Sequence, residues 1–263
     1  MSLEVSYNSD EMMTVSAARM LRNGAICFVG IGLPSTAANL ARLLHAPDVV
    51  LIYESGPIGA KPAVLPLSIG DGSLAEEADT VVSTPEIFRY WLQGGRVDIG
   101  FLGAAQIDRY ANINTTVIGN YHRPTVRLPG AGGAPEISTS AREVLIIVRQ
   151  SRKSFVEKLD FVTSAGFLTG GDSRRQAGIS GGGPSAVITD LCVLRPEPES
   201  HEFIVASIHP GVSAERIRQN TGWKIRFETN CSETIPPTAH ELRVLRDLKA
   251  RTAAAHGMPE PVV

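Results

Sequence analysis

The stretch that most constrains this chain runs from Asp48 to Lys61, DVVLIYESGPIGAK. Its apolar run, Val49 to Tyr53, is mostly β-branched or aromatic and lies between Pro47-Asp48 and Ser55-Gly56-Pro57, the pattern of a short buried strand. Glu54 closes that strand at a place where packing has no use for a carboxylate. In α/β proteins the carboxyl edge of a parallel sheet is where chemistry is placed. A plainer role stays open, in which Glu54 pairs with an arginine or caps a neighbouring turn. The Gly56-Pro57-x-Gly59 turn behind it lets other backbone approach closely, which favours a functional carboxylate. Glu54 is the first catalytic candidate.

The neighbouring segments supply the sheet. Residues 10–22 space Met13, Ala17, Met20 and Leu21 at helical intervals, with Asn23-Gly24 as a stop. Ala25 to Val29 is a short strand, and Thr36 to His45 a helix with Pro34 near its first turn. The β-α-β order is the unit of a parallel sheet. The predicted fold is therefore α/β, an open, mainly parallel twisted sheet with helices on both faces. Gly30-x-Gly32, with Asp48 or Glu54 about 20 residues on, partly matches a dinucleotide fingerprint, but Pro34-Ser35 stand where its third glycine belongs. Plain turn geometry explains the pair as well.

Pro57 to Asp79, rich in Gly, Pro and Asp, is predicted as a long loop over the strand edge. Thr84-Pro85-Glu86 caps a helix to Gln93, with Phe88, Trp91 and Leu92 as its buried stripe. Val97 to Leu102 is a strand closing on Gly103-Ala104-Ala105-Gln106-Ile107-Asp108, and Asn112 to Thr116 an alternating strand. The second informative stretch is Pro129-Gly130-Ala131-Gly132-Gly133-Ala134-Pro135-Glu136. Three glycines in four positions before a helix start turn successive N–H groups toward one point, a nest for an anion or developing oxyanion. A flexible hairpin tip is the alternative.

Further on, Glu143 to Val148 is a strand and Arg149 to Lys158 a solvated turn. Gly166 to Pro184, with seven glycines and Arg174-Arg175, is predicted as a mobile surface loop. Ala186 to Leu194 and Glu202 to Ile208 are strands, and Ser213 to Thr221 a helix. His209-Pro210-Gly211 sits at a strand end, where either chemistry or a turn accounts for it. Thr238-Ala239-His240-Glu241 is a capping box opening a helix with Leu242, Leu245 and Leu248 on one face. With no repeat and no linker, residues 1–263 are expected to form a single domain.

Composition narrows the function. A net charge of −2 and no basic run longer than Arg174-Arg175 argue against a nucleic-acid binder. No stretch reaches the roughly 18 apolar residues of a membrane span, and the acidic N-terminus lacks a signal pattern. Cys27, Cys192 and Cys231 form no CxxC pair, which suggests a reducing compartment, and Cys27 and Cys192 are expected in the core. A cytoplasmic protein with no metal site is expected.

Tyr53-Glu54-Ser55-Gly56, then Gly103 to Asp108 with Asn112-Ile113-Asn114, then Gly130 to Ala134, resemble the beta subunit of family I CoA transferases, closest to the glutaconate CoA-transferase branch. His209 to Val212 and Thr221-Gly222-Trp223 extend the resemblance over nearly the whole chain. Other members carry Ser-Glu-Asn-Gly at the nucleophile, whereas this chain has Glu-Ser-Gly, which places it with the glutaconate-like subgroup. The resemblance implies that Glu54 forms a covalent thioester with CoA and that Gly130, Gly132 and Gly133 lie at the oxyanion or CoA. Ser55, Gly56 and Gln106 are expected near the substrate. It further implies an alpha subunit as partner, acyl-CoA and dicarboxylic acids as substrates, and no permanently bound cofactor. Two other classes stay open: an acyl-CoA hydrolase or lyase on the same scaffold, against which Glu54 counts, and a non-catalytic nucleotide-binding subunit.

Overall fold

The computed structural model describes residues 6–259. The N-terminal stretch considered above for a leader includes residues 1–5, which lie outside the described residues. The chain divides into two compact units, Met1–Arg89 with Pro236–Val263, and Tyr90–Ile235.

The first unit opens with α1 (Ser9–Ala18), whose cap is reciprocal. Asn8 Oδ1 accepts from the Glu11 N–H, and Glu11 Oε2 accepts from the Asn8 N–H, both at 3.0 Å. β1 (Ile26–Phe28), α2 (Leu33–Leu44) and β2 (Val50–Ile52) form the expected β-α-β unit. β1 and β2 are parallel, with Phe28 opposite Ile52. The long loop expected over 57–79 is corrected. It begins with β3 (Pro57–Ile58), antiparallel to β2 at Ile52–Ile58, and contains the short α3 (Ser73–Glu76) before β4 (Thr80–Val81) pairs with β3. A two-residue strand tolerates Pro57 because the residue still offers its carbonyl, which accepts from the Tyr53 N–H at 3.1 Å.

α4 (Thr84–Glu86) is capped by Ser83 with Glu86, and the chain continues as a π-helical turn over Ile87–Leu92. That wider winding changes the buried stripe. Ile87 and Leu92, five residues apart, are fully buried, while Phe88 and Trp91 are only half-buried.

The second unit contains β5 (Ile99–Leu102), β6 (Gln106–Ile107), β7 (Ile113–Asn114), β8 (Val117–Asn120), β9 (Arg123–Arg127), α5 (Ala134–Ser140) and β10 (Glu143–Ile147). After these come α6 (Ser173–Gln176), β11 (Pro184–Ile188), β12 (Cys192–Pro196), β13 (Phe203–Ile208), α7 (Ala214–Gln219) and β14 (Phe227–Glu233). Its sheet order is β14-β13-β12-β11-β10-β5. β5, β10 and β11 are parallel, and the direction then alternates through β12 and β13. β6–β7 and β8–β9 are separate antiparallel ribbons.

Two expectations are corrected in this unit. Ala186 to Leu194 is a hairpin and not one strand. The Thr189 hydroxyl accepts from the N–H groups of Leu191 and Cys192 at 3.0 and 2.9 Å, closing a turn that contains neither glycine nor proline. The glycine-rich segment from Gly166 to Pro184 is not a solvated loop, because it wraps a buried guanidinium. Arg174, 5 % exposed, donates to the carbonyls of Ser138, Gly166, Gly181 and Ala165 at 2.6 to 3.2 Å. Burial lowers its pKa to about 10. Gly166 is required there, since a Cβ would lie 2.3 Å from the Ala111 carbonyl group. Arg175, by contrast, is solvated and pairs with Asp172 at 2.6 Å.

The chain returns to the first unit as α8 (Ala239–His256), capped by Thr238 and Glu241 as expected, with Leu242, Leu245 and Leu248 buried. Two ion pairs fasten it to α1 in opposite directions. Arg246 Nε donates to the buried Glu11 at 2.7 Å, and Arg19 makes a two-point contact to Glu241 with both bonds at 2.7 Å. Cys27 and Cys192 are fully buried, as expected.

Candidate active site

Glu54 follows β2 in a tight turn built to be rigid. The Gly56 N–H donates to the Tyr53 carbonyl at 3.0 Å, and the Val82 N–H donates to the Gly56 carbonyl at 3.1 Å. Gly56 adopts φ +121, and a Cβ there would lie 2.0 Å from the Val82 carbonyl oxygen. At Gly59, φ +69, a Cβ would meet the exposed Asp79 side chain instead. Gly56 thus lets the backbone at Val82 close over the turn, the close backbone approach expected of it.

Side-chain alternation divides the strand end between packing and chemistry. Tyr53 points into the core, fully buried, with its hydroxyl 3.0 Å from Ser35 Oγ and 3.4 Å from Asn39 Nδ2 on α2. Burial raises its pKa, so it stays a neutral phenol that locks the strand to the helix. Glu54, next in sequence, is half-buried, and Ser55 is exposed. Among the described residues neither side chain has a hydrogen-bond or ion-pair partner. The plainer role, a carboxylate paired with an arginine or capping a turn, is therefore not what holds Glu54. Burial without a partner leaves its oxygens available to a ligand.

The Gly30-x-Gly32 turn feeds α2 with Gly32 at φ +85 and no side-chain cap. Asp48 sits before β2, where Asn23 Nδ2 donates to it at 2.9 Å, and so it is at the opposite strand end from a ribose-binding carboxylate.

The second unit holds the glycine stretch. Gly130, at φ +104, is committed to protein: its N–H donates to the Thr115 carbonyl at 2.8 Å, and its own carbonyl accepts from Thr115 Oγ1 at 2.7 Å. Both of its backbone groups thus anchor the stretch to Thr115. The N–H groups of Gly132 and Gly133 have no acceptor among the described residues. Gly132 is exposed at φ +49, and Gly133 immediately precedes α5. The anchor continues inward, because Thr163 Oγ1 accepts from the Thr115 N–H at 2.9 Å and lies 2.7 Å from Thr116 Oγ1.

Gln106, expected beside substrate, braces this region. It is 6 % exposed, donates to Asp160 at 2.8 Å and accepts from Asn114 Nδ2 at 2.8 Å and from the Asp160 N–H at 3.2 Å. Both ends of its amide are occupied. His209 is likewise structural. Its Nε2 donates to the Thr189 carbonyl at 2.8 Å, and its Nδ1 lies 3.0 Å from Thr234 Oγ1, whose own proton goes to Ser207 Oγ. Burial holds its pKa below the ordinary imidazole range. Among the described residues no group of three or more His, Cys, Asp or Glu side chains is arranged to hold a metal, and no helix is long and apolar enough to cross a membrane.

A half-buried strand-end carboxylate with no partner among the described residues is the kind of group that acyl transfer uses. Comparison with known proteins gives that class a name. The family model for Coenzyme A transferase matches residues 10–220, and the chain belongs to that family. It is 69 % identical over 252 residues to the beta subunit of 3-oxoadipate CoA-transferase from Pseudomonas knackmussii, covering 96 % of this chain and 97 % of that one. It is 33 % identical over 247 residues to the beta subunit of glutaconate CoA-transferase from Acidaminococcus fermentans, covering 92 % and 91 %. The crystal structure of glutaconate coenzyme A-transferase from the same organism superimposes with a TM-score of 0.88, at 30 % identity over 97 % of this chain and 99 % of that one. The expected CoA-transferase-like α/β fold is thus the fold of this chain.

Proposed function

We propose that this chain is the beta subunit of a cytoplasmic CoA transferase that moves CoA from succinyl-CoA, or a similar donor, to 3-oxoadipate. Its 69 % identity to a subunit of an enzyme with that activity supports the acceptor. The observation that carries the chemistry is Glu54, a half-buried carboxylate with no partner among the described residues, on a turn closed by the Gly56 contacts. A carboxylate suits the reaction because the groups exchanged are carboxylates. Ionised Glu54 attacks the donor thioester carbonyl, and the C–S bond breaks to give a mixed anhydride and CoA thiolate. The thiolate attacks the glutamyl carbonyl, leaving CoA as a thioester on Glu54 and releasing the donor acid. The acceptor carboxylate runs the same two steps in reverse, a ping-pong sequence.

Each attack places negative charge on a carbonyl oxygen. The unpaired N–H groups of Gly132 and Gly133 are suited to receive it, at about 3 kcal/mol for a well-placed donor. The anhydride must be kept from water, and a partner alpha subunit supplies the remaining cover and CoA contacts. CoA and acyl-CoA enter as substrates, with no cofactor resident. In the two-subunit enzyme a donor acyl-CoA without acceptor should load CoA onto Glu54, seen as a rise in the intact mass of this chain. Turnover that never loads this residue would overturn the reading.

A further inference from the structure

Where α2 meets the residue before Glu54, it carries polar side chains in place of apolar ones. The helix buries Ala37, Ala38, Leu40 and Ala41 as a core helix does, yet Ser35 and Asn39 are buried as deeply, at 1 % and 0 % exposed. Burying a hydroxyl or an amide is costly unless each is bonded, and a satisfied bond gains only modestly. Ser35, Asn39 and Arg42 follow one another at intervals of four and three residues, which places them on one helix face. The first two converge on a single atom. The Tyr53 phenol oxygen lies 3.0 Å from Ser35 Oγ and accepts from Asn39 Nδ2 at 3.4 Å. Arg42, which can only donate, gives its Nε proton to Asn39 Oδ1 at 3.4 Å and so turns the amide nitrogen toward Tyr53. Asn39 Nδ2 also donates to the Ser35 carbonyl at 2.9 Å, and the amide is held at both ends.

The main chain of Tyr53 is fixed as well. Its N–H donates to the Pro57 carbonyl at 3.1 Å, and its carbonyl accepts from the Gly56 N–H at 3.0 Å. Glu54 is the next residue, so the backbone it springs from is set by that turn on one side and by the Tyr53 ring on the other. Packing alone does not ask for the hydroxyl. Leu51, two residues before Tyr53, is fully buried and apolar, and a phenylalanine at position 53 would fill the same space with no partner to find. A buried polar network holds one geometry where an apolar contact tolerates several. Departures from core rules of this kind gather at functional sites.

We propose that Ser35 and Asn39, acting through the Tyr53 hydroxyl, are positioning residues for Glu54, holding the strand end in the geometry from which its carboxylate attacks. The proposal rests on Glu54 as the CoA-carrying residue. Its test is the single-turnover rate at which succinyl-CoA loads CoA onto this chain in the two-subunit enzyme, followed by intact mass. Tyr53→Phe keeps the ring and leaves Asn39 its bond to the Ser35 carbonyl, so the helix side is preserved. It should slow loading by about tenfold at saturating succinyl-CoA, with the half-saturating concentration little changed, since a misplacement of about 1 Å costs roughly 100-fold. Ser35→Ala removes the same bond from the helix side and should slow loading alike, and the double variant should be no slower than either alone. Thr14→Val deletes an equally buried hydroxyl from α1, where it donates to the Asp10 carbonyl at 2.6 Å, and should load at the unsubstituted rate. The unsubstituted rate in Tyr53→Phe or Ser35→Ala overturns the proposal. Additive slowing in the double variant, or equal slowing in Thr14→Val, overturns it as well, because either result reduces the network to general stability. No loading in the unsubstituted enzyme sinks the underlying reading of Glu54 instead, so the two failures are told apart.

Discussion

Gly56→Ala should disable the nucleophile without touching it. The added Cβ would lie 2.0 Å from the Val82 carbonyl oxygen, and real Cβ atoms do not approach closer than 3.0 Å, so the turn or β4 must give by about 1 Å. The φ of +121 adds backbone strain of about 1–3 kcal/mol for a residue with a side chain. Retreat of β4 also stretches the 3.1 Å bond from the Val82 N–H to the Gly56 carbonyl, worth about 1 kcal/mol. Glu54 sits two residues away on the same turn, and a misplacement near 1 Å costs roughly 100-fold in rate. Gly24→Ala is the control, since Gly24 has φ +74 but open space where its Cβ would go. It incurs about 1–2 kcal/mol of strain and displaces nothing near Glu54. Thermal melts and transfer kinetics of both variants in the two-subunit enzyme separate clash from strain. Gly56→Ala should melt below Gly24→Ala and lose about 100-fold in kcat. A Gly56→Ala enzyme within threefold of the unsubstituted kcat, melting with the control, would refute the rigid-turn argument.

Gly132→Val should lower kcat with little change in KM, because a β-branched side chain obstructs approach to the adjacent N–H groups and disfavours the φ of +49. An unchanged kcat in a folded variant would return that stretch to a plain hairpin tip. Acid stability should depend on the α1–α8 clasp. Burial alone would raise the Glu241 pKa, but Arg19 and the Thr238 N–H and hydroxyl outweigh it and hold the group at about 2, against 4.5 unperturbed. The folded pKa is the depressed one, so its stabilisation is complete above about pH 4.5 and fades as pH falls toward 2. Denaturant titrations at pH 7, 4.5 and 3 should show a shallower acid loss in Arg19→Met than in the unsubstituted chain, and parallel losses would contradict the assignment.

Where residues act through local backbone rules, the sequence is a good guide. Val49 to Tyr53 announces its strand and Glu54 its edge, and Thr238 with Glu241 announces the last helix. Asn8-x-x-Glu11 carries the same cap signal, although apolar spacing alone starts that helix at Asp10. What stays hidden depends on partners far along the chain. A glycine-rich run with two arginines has the composition of a solvated loop, and only the carbonyls of Ser138 and Ala165, supplied by tertiary folding, make Arg174 a core residue. The hydroxyl-closed turn at Thr189 contains no breaker residue. A π-helical turn shares its residues with an ordinary helix and differs in hydrogen-bond offset, which shifts burial from Phe88 to Ile87. In the glycine stretch, composition marks all three residues alike, and only the Thr115 contacts separate Gly130, the anchor, from Gly132 and Gly133.

CoA carried on the Glu54 carboxyl group can be trapped there. The two-subunit enzyme is given succinyl-CoA without acceptor, treated with hydroxylamine, and digested for peptide mass mapping. A hydroxamate is expected at Glu54 and at no other carboxylate, absent when 3-oxoadipate is added first to discharge the thioester. A stable label on another residue, or transfer at full rate by Glu54→Ala, would contradict it.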